Sequence, residues 1–191
     1  MARVGQVLDE GLEQIEFLAT AATTGGELVR GRVSVAPGRP APPEHSHPKL
    51  EERFIVEQGV MGYTLGSLRR EAKPGDLVVV SPGTNHTFWN AGPGQLSVVT
   101  EVRPALRFED FVETIHVLIR DGRLSPGGTR PNPLLIAVVA MAYRDEWRLT
   151  KLSSLARLLL PPLAFLGRRA GYRSHYSVDD EHSSTDVPAT V

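Results

Sequence analysis

The chain contains no cysteine among its 191 residues, which excludes disulfides, thiolate metal ligands and cysteine nucleophiles. Its charge is nearly balanced, with 21 Lys and Arg against 22 Asp and Glu, so no general attraction to nucleic acid or acidic membranes is expected. The first residues lack the continuous apolar stretch of a secretory signal peptide. We therefore expect a cytoplasmic protein that does not bind nucleic acid.

Glycine and proline, at 18 and 15 residues, divide the first hundred residues into short segments. Apolar or alternating runs recur between these turns at a spacing of roughly 8–12 residues, which is typical of an all-β sandwich or barrel. Eight short strands are predicted between Ile15 and Val102, preceded by a loosely held lead-in over residues 1–13. The fold class predicted from this pattern is mainly β, a closed sandwich or barrel followed by helices.

A helical pattern replaces the strand pattern after Pro104. Between Phe108 and Ile119 the apolar residues recur at helical spacing, and Gly122 is placed to end that helix. A second helix is predicted over 133–143, where an asparagine followed by a proline is a typical helix start. This second helix is apolar on nearly all sides, so it should be buried.

A third helical segment begins near residue 150 and is strongly apolar, but it contains the Pro161-Pro162 pair, which should kink or break it. Its surroundings are basic, so a peripheral membrane contact through 152–169 is one interpretation. The more common fate of an apolar helix is to pack on its own domain or on a second subunit. We expect packing on the barrel or in a homodimer.

These patterns divide the chain into three parts. Residues 1–104 are predicted to form the barrel with its lead-in, and residues 105–176 a helical extension packed on the barrel or on a partner subunit. Residues 177–191 are polar and rich in acidic side chains, so they are predicted to be a disordered tail.

Two histidines and two adjacent carboxylates lie between His45 and Gly59. His45 and His47 are two residues apart, so their imidazoles point to the same face of an extended strand. Glu51 and Glu52 compete for the role of a third ligand, and only with Glu52 inward do the apolar residues that follow also point inward. Imidazole nitrogens and a carboxylate oxygen that converge on one point suit a divalent metal.

The same segment resembles the first motif of the cupin family. That motif has a glycine, a His-x-His pair, a glutamate after three or four residues and a second glycine six residues further on. His45, His47, Glu52 and Gly59 match it in this sequence. The earlier glycine, Gly38, lies one residue further from His45 than in the usual form of the motif.

The second cupin motif has a glycine, a Pro-x-Gly turn, a histidine and an asparagine. Gly75, Gly83, His86 and Asn90 match it at the expected spacing. Ser81 stands where the proline of the turn is usual, a departure that concerns the rigidity of the turn rather than metal binding.

The resemblance covers about residues 27–103 and implies a jelly-roll barrel, a double-stranded β-helix. It also implies one divalent transition metal, Fe, Mn, Ni, Co or Zn, held by His45, His47, Glu52 and His86. Those ligand types suit any of these metals, so they do not determine which is bound. A cupin pocket without metal is the alternative.

A metal-dependent enzyme that acts on a small apolar or aromatic molecule is the leading hypothesis for function. Four protein ligands leave two positions of a six-coordinate metal, enough for a bidentate substrate or for a substrate and O₂. The apolar, aromatic-flanked surroundings of the motifs suit an apolar or aromatic substrate and favour a dioxygenase-like reaction. A non-redox isomerase or cyclase and a non-catalytic binding protein are the alternatives. Glu52 is a candidate general base.

Three aromatic residues are candidates either for lining the substrate pocket or for the core: Phe54, Tyr63 and Phe88. Three histidines outside the motifs are interpreted as structural or solvated: His116, His175 and His182.

Overall fold

The computed structural model describes residues 2–124 and 132–179. Within these ranges the chain forms eleven strands and three helices. In chain order they are β1 (Val7–Asp9), β2 (Glu13–Ala19), β3 (Val29–Val35), β4 (His45–Ser46), β5 (Glu51–Gln58), β6 (Met61–Leu65), β7 (Leu68–Ala72), β8 (Leu77–Val80), β9 (His86–Asn90), β10 (Leu96–Arg103), α1 (Phe108–Arg120), α2 (Pro133–Ala142), β11 (Arg148–Leu149) and α3 (Ser154–Arg169).

The strands form two antiparallel sheets. One has the order β1-β2-β3-β10-β5-β8 and the other the order β11-β4-β9-β6-β7. Alternate residues of each strand meet in a shared core, as Val33 and Val35 of β3 do with Val98 of β10 and Met61 of β6. The predicted mainly β fold, two packed sheets followed by helices, is confirmed.

Two motif residues hold turns of this barrel. Gly59 joins β5 to β6 at a φ of +82°, and a Cβ there would lie 2.6 Å from the carbonyl oxygen of Gln95, so only glycine fits. The Asn90 side-chain amide donates to the carbonyls of Val35 (2.9 Å) and Gly94 (2.8 Å), which ties the end of β9 to β3. The second motif therefore has a structural role besides supplying a histidine.

The N-terminal segment is not the loosely held lead-in that its sequence predicted. β1 pairs with β2 in an antiparallel ladder, and Ala2 and Leu8 are buried against Phe17 and Val29. Apolar burial and the added ladder together hold the segment in place. The expectation for residues 1–13 was wrong because a three-residue strand gives almost no periodic signal.

The three helices follow β10 in the chain. α2 begins as predicted, with the Asn132 side chain accepting hydrogen bonds from the backbone N–H groups of Leu134 and Leu135. α3 runs without a break through Pro161 and Pro162, contrary to the expected interruption. Its packing on α2 holds it there, since Ala164 and Gly167 are buried in that contact.

The beginning of the polar tail contacts α1. The Ser177 hydroxyl and the Val178 N–H both donate to Glu113 Oε1 at 3.1 Å, which corrects the predicted disorder for this part. The remainder of the predicted tail, residues 180–191, lies outside the described residues.

One face of α3 is apolar and exposed. Its side chains are Leu155, Leu158, Leu159, Phe165 and Leu166, and Leu158 is 73% exposed. Within residues 2–124 and 132–179 there is no helix with the length and apolar character needed to cross a membrane. The homodimer and the peripheral membrane contact through 152–169 stay predictions.

Candidate metal centre

The four predicted metal ligands lie together inside the barrel. His45 is on β4, Glu52 on β5 and His86 on β9, while His47 directly follows β4. One ligand atom from each residue can be chosen so that all four lie within 4.8 Å of one another, and all four residues are buried. This cluster could hold a metal ion.

Each histidine of the cluster is oriented by a hydrogen bond from its Nδ1 to a backbone carbonyl. A carbonyl oxygen only accepts, so each Nδ1 must carry a proton and each neutral ring keeps a free lone pair on Nε2. The acceptors are the carbonyl oxygens of Pro43 for His45 (2.9 Å), Glu146 for His47 (2.6 Å) and Thr84 for His86 (3.0 Å).

The carboxylate of Glu52 is the anionic partner of these rings. Its Oε2 lies 3.2 Å from His47 Nε2 and 2.9 Å from His86 Nε2. Because each Nδ1 already holds the proton of a neutral ring, each Nε2 carries only a lone pair, as does Oε2. Two such atoms lie this close only if the ring holds a second proton or if a cation binds both the Nε2 and the Oε2. A site of three Nε2 atoms and one carboxylate oxygen therefore fits a divalent metal.

Burial and neighbouring charges shift the pKa values of this cluster in different directions. Burial, with the positive charge of His86 and His47, lowers the pKa of His45 to about 3, so its ring is neutral at physiological pH. Burial would raise the pKa of Glu52, but His47 and His86 outweigh it and hold the pKa well below its usual range. The hydrogen bond and charge of Glu52 outweigh burial at His86 and raise its pKa. Glu52 is therefore an anion. It is better suited to the role of a metal ligand than to that of a general base near neutral pH.

The choice between the two carboxylates of the first motif is supported by their surroundings. Glu52 is buried among the histidines, whereas the Glu51 carboxylate is partly exposed and accepts a hydrogen bond from Arg53 Nε at 2.7 Å. Their different environments follow from the alternation of side chains along β5.

A cavity of about 460 Å³ extends from the cluster between the barrel and the helices. α1 and the segment between α2 and β11 supply aromatic walls beside the histidines. Phe108 of α1 lies 5.5 Å from His47 and Trp147 of that segment lies 5.8 Å from His45, both between ring centroids. The carbonyl of Glu146 also belongs to this segment. The helical extension therefore completes the site, which the motifs do not predict.

The three predicted pocket aromatics occupy different places. Phe88 lines the cavity. Phe54 is buried in the barrel core and Tyr63 packs partly buried against the same core, and neither lines the cavity. Contact of any of them with a substrate stays a prediction.

Two of the three histidines outside the motifs have defined surroundings. His116, on α1, is buried, and its Nδ1 lies 3.4 Å from Glu10 Oε1. His175 Nδ1 lies 3.2 Å from both Thr114 Oγ1 and the Tyr143 hydroxyl. These contacts agree with structural roles. His182 lies outside the described residues.

Residues 31–101 match the family model described as Cupin domain, Cupin_2. Residues 31–101 are a cupin domain. The chain is also similar to a protein described as probable oxidoreductase virH from Hypocrea virens (strain Gv29-8 / FGSC 10586), at 39% identity over 66 residues. That match covers 34% of this chain and 30% of the relative, so the chain matches less than a third of the relative's length.

Three solved structures each resemble about half of the chain. A Cupin 2 conserved barrel domain protein from Salinispora arenicola CNS-205 is 26% identical, with a TM-score of 0.43, over 51% of this chain and 80% of that protein. A protein with a double-stranded β-helix domain from Klebsiella pneumoniae subsp. pneumoniae MGH 78578 is 23% identical, with a TM-score of 0.45, over 51% and 82%. KdgF from Halomonas sp. is 23% identical, with a TM-score of 0.46, over 52% and 86%.

Proposed function

We propose that this cupin is a metal-dependent oxidoreductase with dioxygenase-type chemistry on a small apolar or aromatic molecule. The observation that carries the proposal is the convergence of three histidine Nε2 atoms and the Glu52 carboxylate at a largely apolar cavity. His45, His47, Glu52 and His86 would hold one divalent transition metal. Iron is the metal expected for oxygen chemistry, within the set Fe, Mn, Ni, Co and Zn.

The protein's own residues prepare the site for this role. The three backbone carbonyls that accept from Nδ1 fix each ring with its Nε2 available, so little reorganisation is needed for metal binding. Glu52 supplies the negative charge that a dication requires in a buried place. When bound, Fe(II) would supply Lewis acidity and O₂ activation.

The cavity walls support an apolar substrate. Barrel residues such as Val33 and Phe88 face helix residues such as Phe111 and Ile115 across it. Such walls exclude water from the reacting molecule and favour apolar ligands. The Hypocrea virens relative is described as a probable oxidoreductase, which agrees with a redox reaction.

Oxygen uptake by the iron-loaded protein tests the proposal. Chelator-treated protein is reloaded with Fe(II) without air and mixed with aerated buffer and a panel of small aromatic alcohols, phenols and amines. We expect substrate-dependent oxygen uptake, with ¹⁸O from ¹⁸O₂ found in the product by mass spectrometry. His47→Ala should abolish uptake, whereas His175→Gln, a histidine outside the cluster, should retain it.

The alternatives give different results in the same assay. Conversion of a panel member without oxygen uptake would favour a non-redox isomerase or cyclase. Binding without conversion, whichever of the five metals is loaded, would favour a non-catalytic cupin and contradict the proposal. The proposal also includes a cytoplasmic homodimer, in which the exposed apolar face of α3 packs on a second copy.

A further inference from the structure

The cavity has a second group of polar side chains besides the metal cluster. We call Glu10, Glu13, Arg39 and His116 the Glu10 cluster, and all four line the cavity. Glu13 lies on β2, Arg39 in the proline-rich segment before β4, and His116 on α1. Each side chain is at most 12% exposed, so the group is buried although all four residues are ionisable.

The charges within the Glu10 cluster are unevenly matched. Arg39 Nη2 donates to Glu13 Oε1 at 2.8 Å, but it lies 3.7 Å from Glu10 Oε2, which is too long for a hydrogen bond. His116 Nδ1 approaches the other oxygen, Glu10 Oε1, at 3.4 Å. One guanidinium therefore serves two carboxylates and satisfies only one of them well.

This arrangement gives Glu10 Oε2 no hydrogen-bond donor. It is buried and has no hydrogen-bond partner among the described residues. The Glu10 side chain is 8% exposed and borders the cavity. A buried carboxylate oxygen without a donor is costly, so a donor supplied from the cavity would be bound favourably.

We propose that the Glu10 cluster binds the hydrogen-bond-donating head group, a hydroxyl or an ammonium, of an elongated apolar ligand. The body of the ligand would lie against the apolar walls, with its other end near the histidines. This inference rests on the proposed function, because it assumes that this cavity binds the substrate. It narrows the substrate class to apolar alcohols and amines, because Glu10 Oε2 lacks a donor and an anionic head group offers it none.

The volume of the cavity and the acidity of the cluster agree with this assignment. About 460 Å³ falls within the range of roughly 300–1,000 Å³ that is typical of sites for small molecules. Burial raises the pKa of Glu13 to about 7, against the opposing charge of Arg39, so the second carboxylate can carry its own proton near neutral pH. Glu10 then remains as the acceptor for the ligand.

Four probes with similar apolar bodies test the head group: n-octanol, n-octylamine, heptyl methyl ether and octanoate. The ether is an isomer of the alcohol that has no donor. Binding to chelator-treated, full-length wild-type protein is measured by calorimetry and by the fluorescence change of Trp147, which borders the cavity. We expect the alcohol or the amine to bind about tenfold or more tightly than the ether, with octanoate weakest.

Two substitutions at Glu10 distinguish the two donors. Glu10→Gln removes the charge but keeps an acceptor, so it should abolish a preference for the amine and largely keep one for the alcohol. Glu10→Met removes the acceptor and should abolish both preferences. Glu16→Gln, which changes a partly exposed carboxylate elsewhere on β2, should leave the preferences unchanged.

The results separate a ligand subsite from a cluster that only braces the fold. If the cluster only stabilises the fold, wild-type protein should bind the ether as tightly as the alcohol and the amine, or should bind none of the probes. Either result with the wild-type protein alone would overturn the proposal. The proposed function can fail independently of this proposal. His47→Ala should lose metal but still bind the alcohol or the amine more tightly than the ether. A wild-type protein that holds no metal and shows the same preference would contradict only the proposed function.

Discussion

The buried carboxyl of Glu13 should make the stability of this protein fall as pH rises. Its side chain is 12% exposed, and burial raises its pKa from 4.5 to about 7. The folded state therefore holds a proton that the unfolded state releases. For a carboxyl whose pKa is raised on folding, stability is greatest below the unfolded value and is lost as pH rises through the folded value.

The size of this effect follows from the two pKa values. Each tenfold change in acidity corresponds to about 1.4 kcal/mol, so the full effect is about 3 kcal/mol. Between pH 5 and pH 8 the deprotonation of Glu13 should lower the free energy of unfolding by roughly 2–3 kcal/mol. For a chain of this size that corresponds to a fall of roughly 5–10 °C in melting temperature.

Glu13→Gln isolates this contribution, because glutamine keeps an acceptor for Arg39 but does not titrate. Urea unfolding of chelator-treated wild type and variant is compared at pH 5 and pH 8. From pH 5 to pH 8 the free energy of unfolding of Glu13→Gln should rise by roughly 2–3 kcal/mol relative to wild type, whereas that of Glu16→Gln should change much less. An equal pH dependence of wild type and Glu13→Gln would refute the assignment of a raised pKa to this buried carboxyl.

Two further predictions concern the helical extension. A Cβ at Gly167 would lie 2.7 Å from Val138 Cγ2, so Gly167→Ala should lower the free energy of unfolding in urea by about 1–3 kcal/mol. Gly94→Ala, a control with open space around it, should change it little. Equal effects of the two substitutions would contradict the close packing of α3 on α2. Leu158→Asp combined with Leu166→Asp should convert a dimer to a monomer in size-exclusion chromatography with light scattering. A monomeric wild type that co-sediments with anionic vesicles would instead favour the peripheral membrane contact.

The features that sequence predicted best depend on local geometry. His45 and His47 share a face because they are two residues apart, and the alternation along one strand favours Glu52 over Glu51 as a ligand. The residues that close turns, such as Gly59, were recognised by their motif and have a clear steric reason in the structure. Such features need few contacts from distant parts of the chain.

The features that sequence missed come from distant contacts. His47 is oriented by the backbone carbonyl of Glu146, 99 residues away, and no side-chain pattern identifies a backbone acceptor. The Glu10 cluster joins a turn after β1, a strand, a proline-rich segment and a helix, each with one unremarkable polar residue. The Pro161-Pro162 pair indicated a helix break, but packing of α3 on α2 outweighs the local penalty.

The metal content of protein purified without added metal tests the central claim most directly. Wild type and Glu51→Ala should each contain about one divalent transition-metal ion per chain by elemental analysis, whereas Glu52→Ala and His45→Ala should contain almost none. Circular dichroism and chelator-treated unfolding curves would establish that the variants remain folded. Wild-type protein without stoichiometric metal, also after exposure to each of the five metals, would contradict the account, as would a Glu52→Ala variant that holds metal as well as Glu51→Ala does.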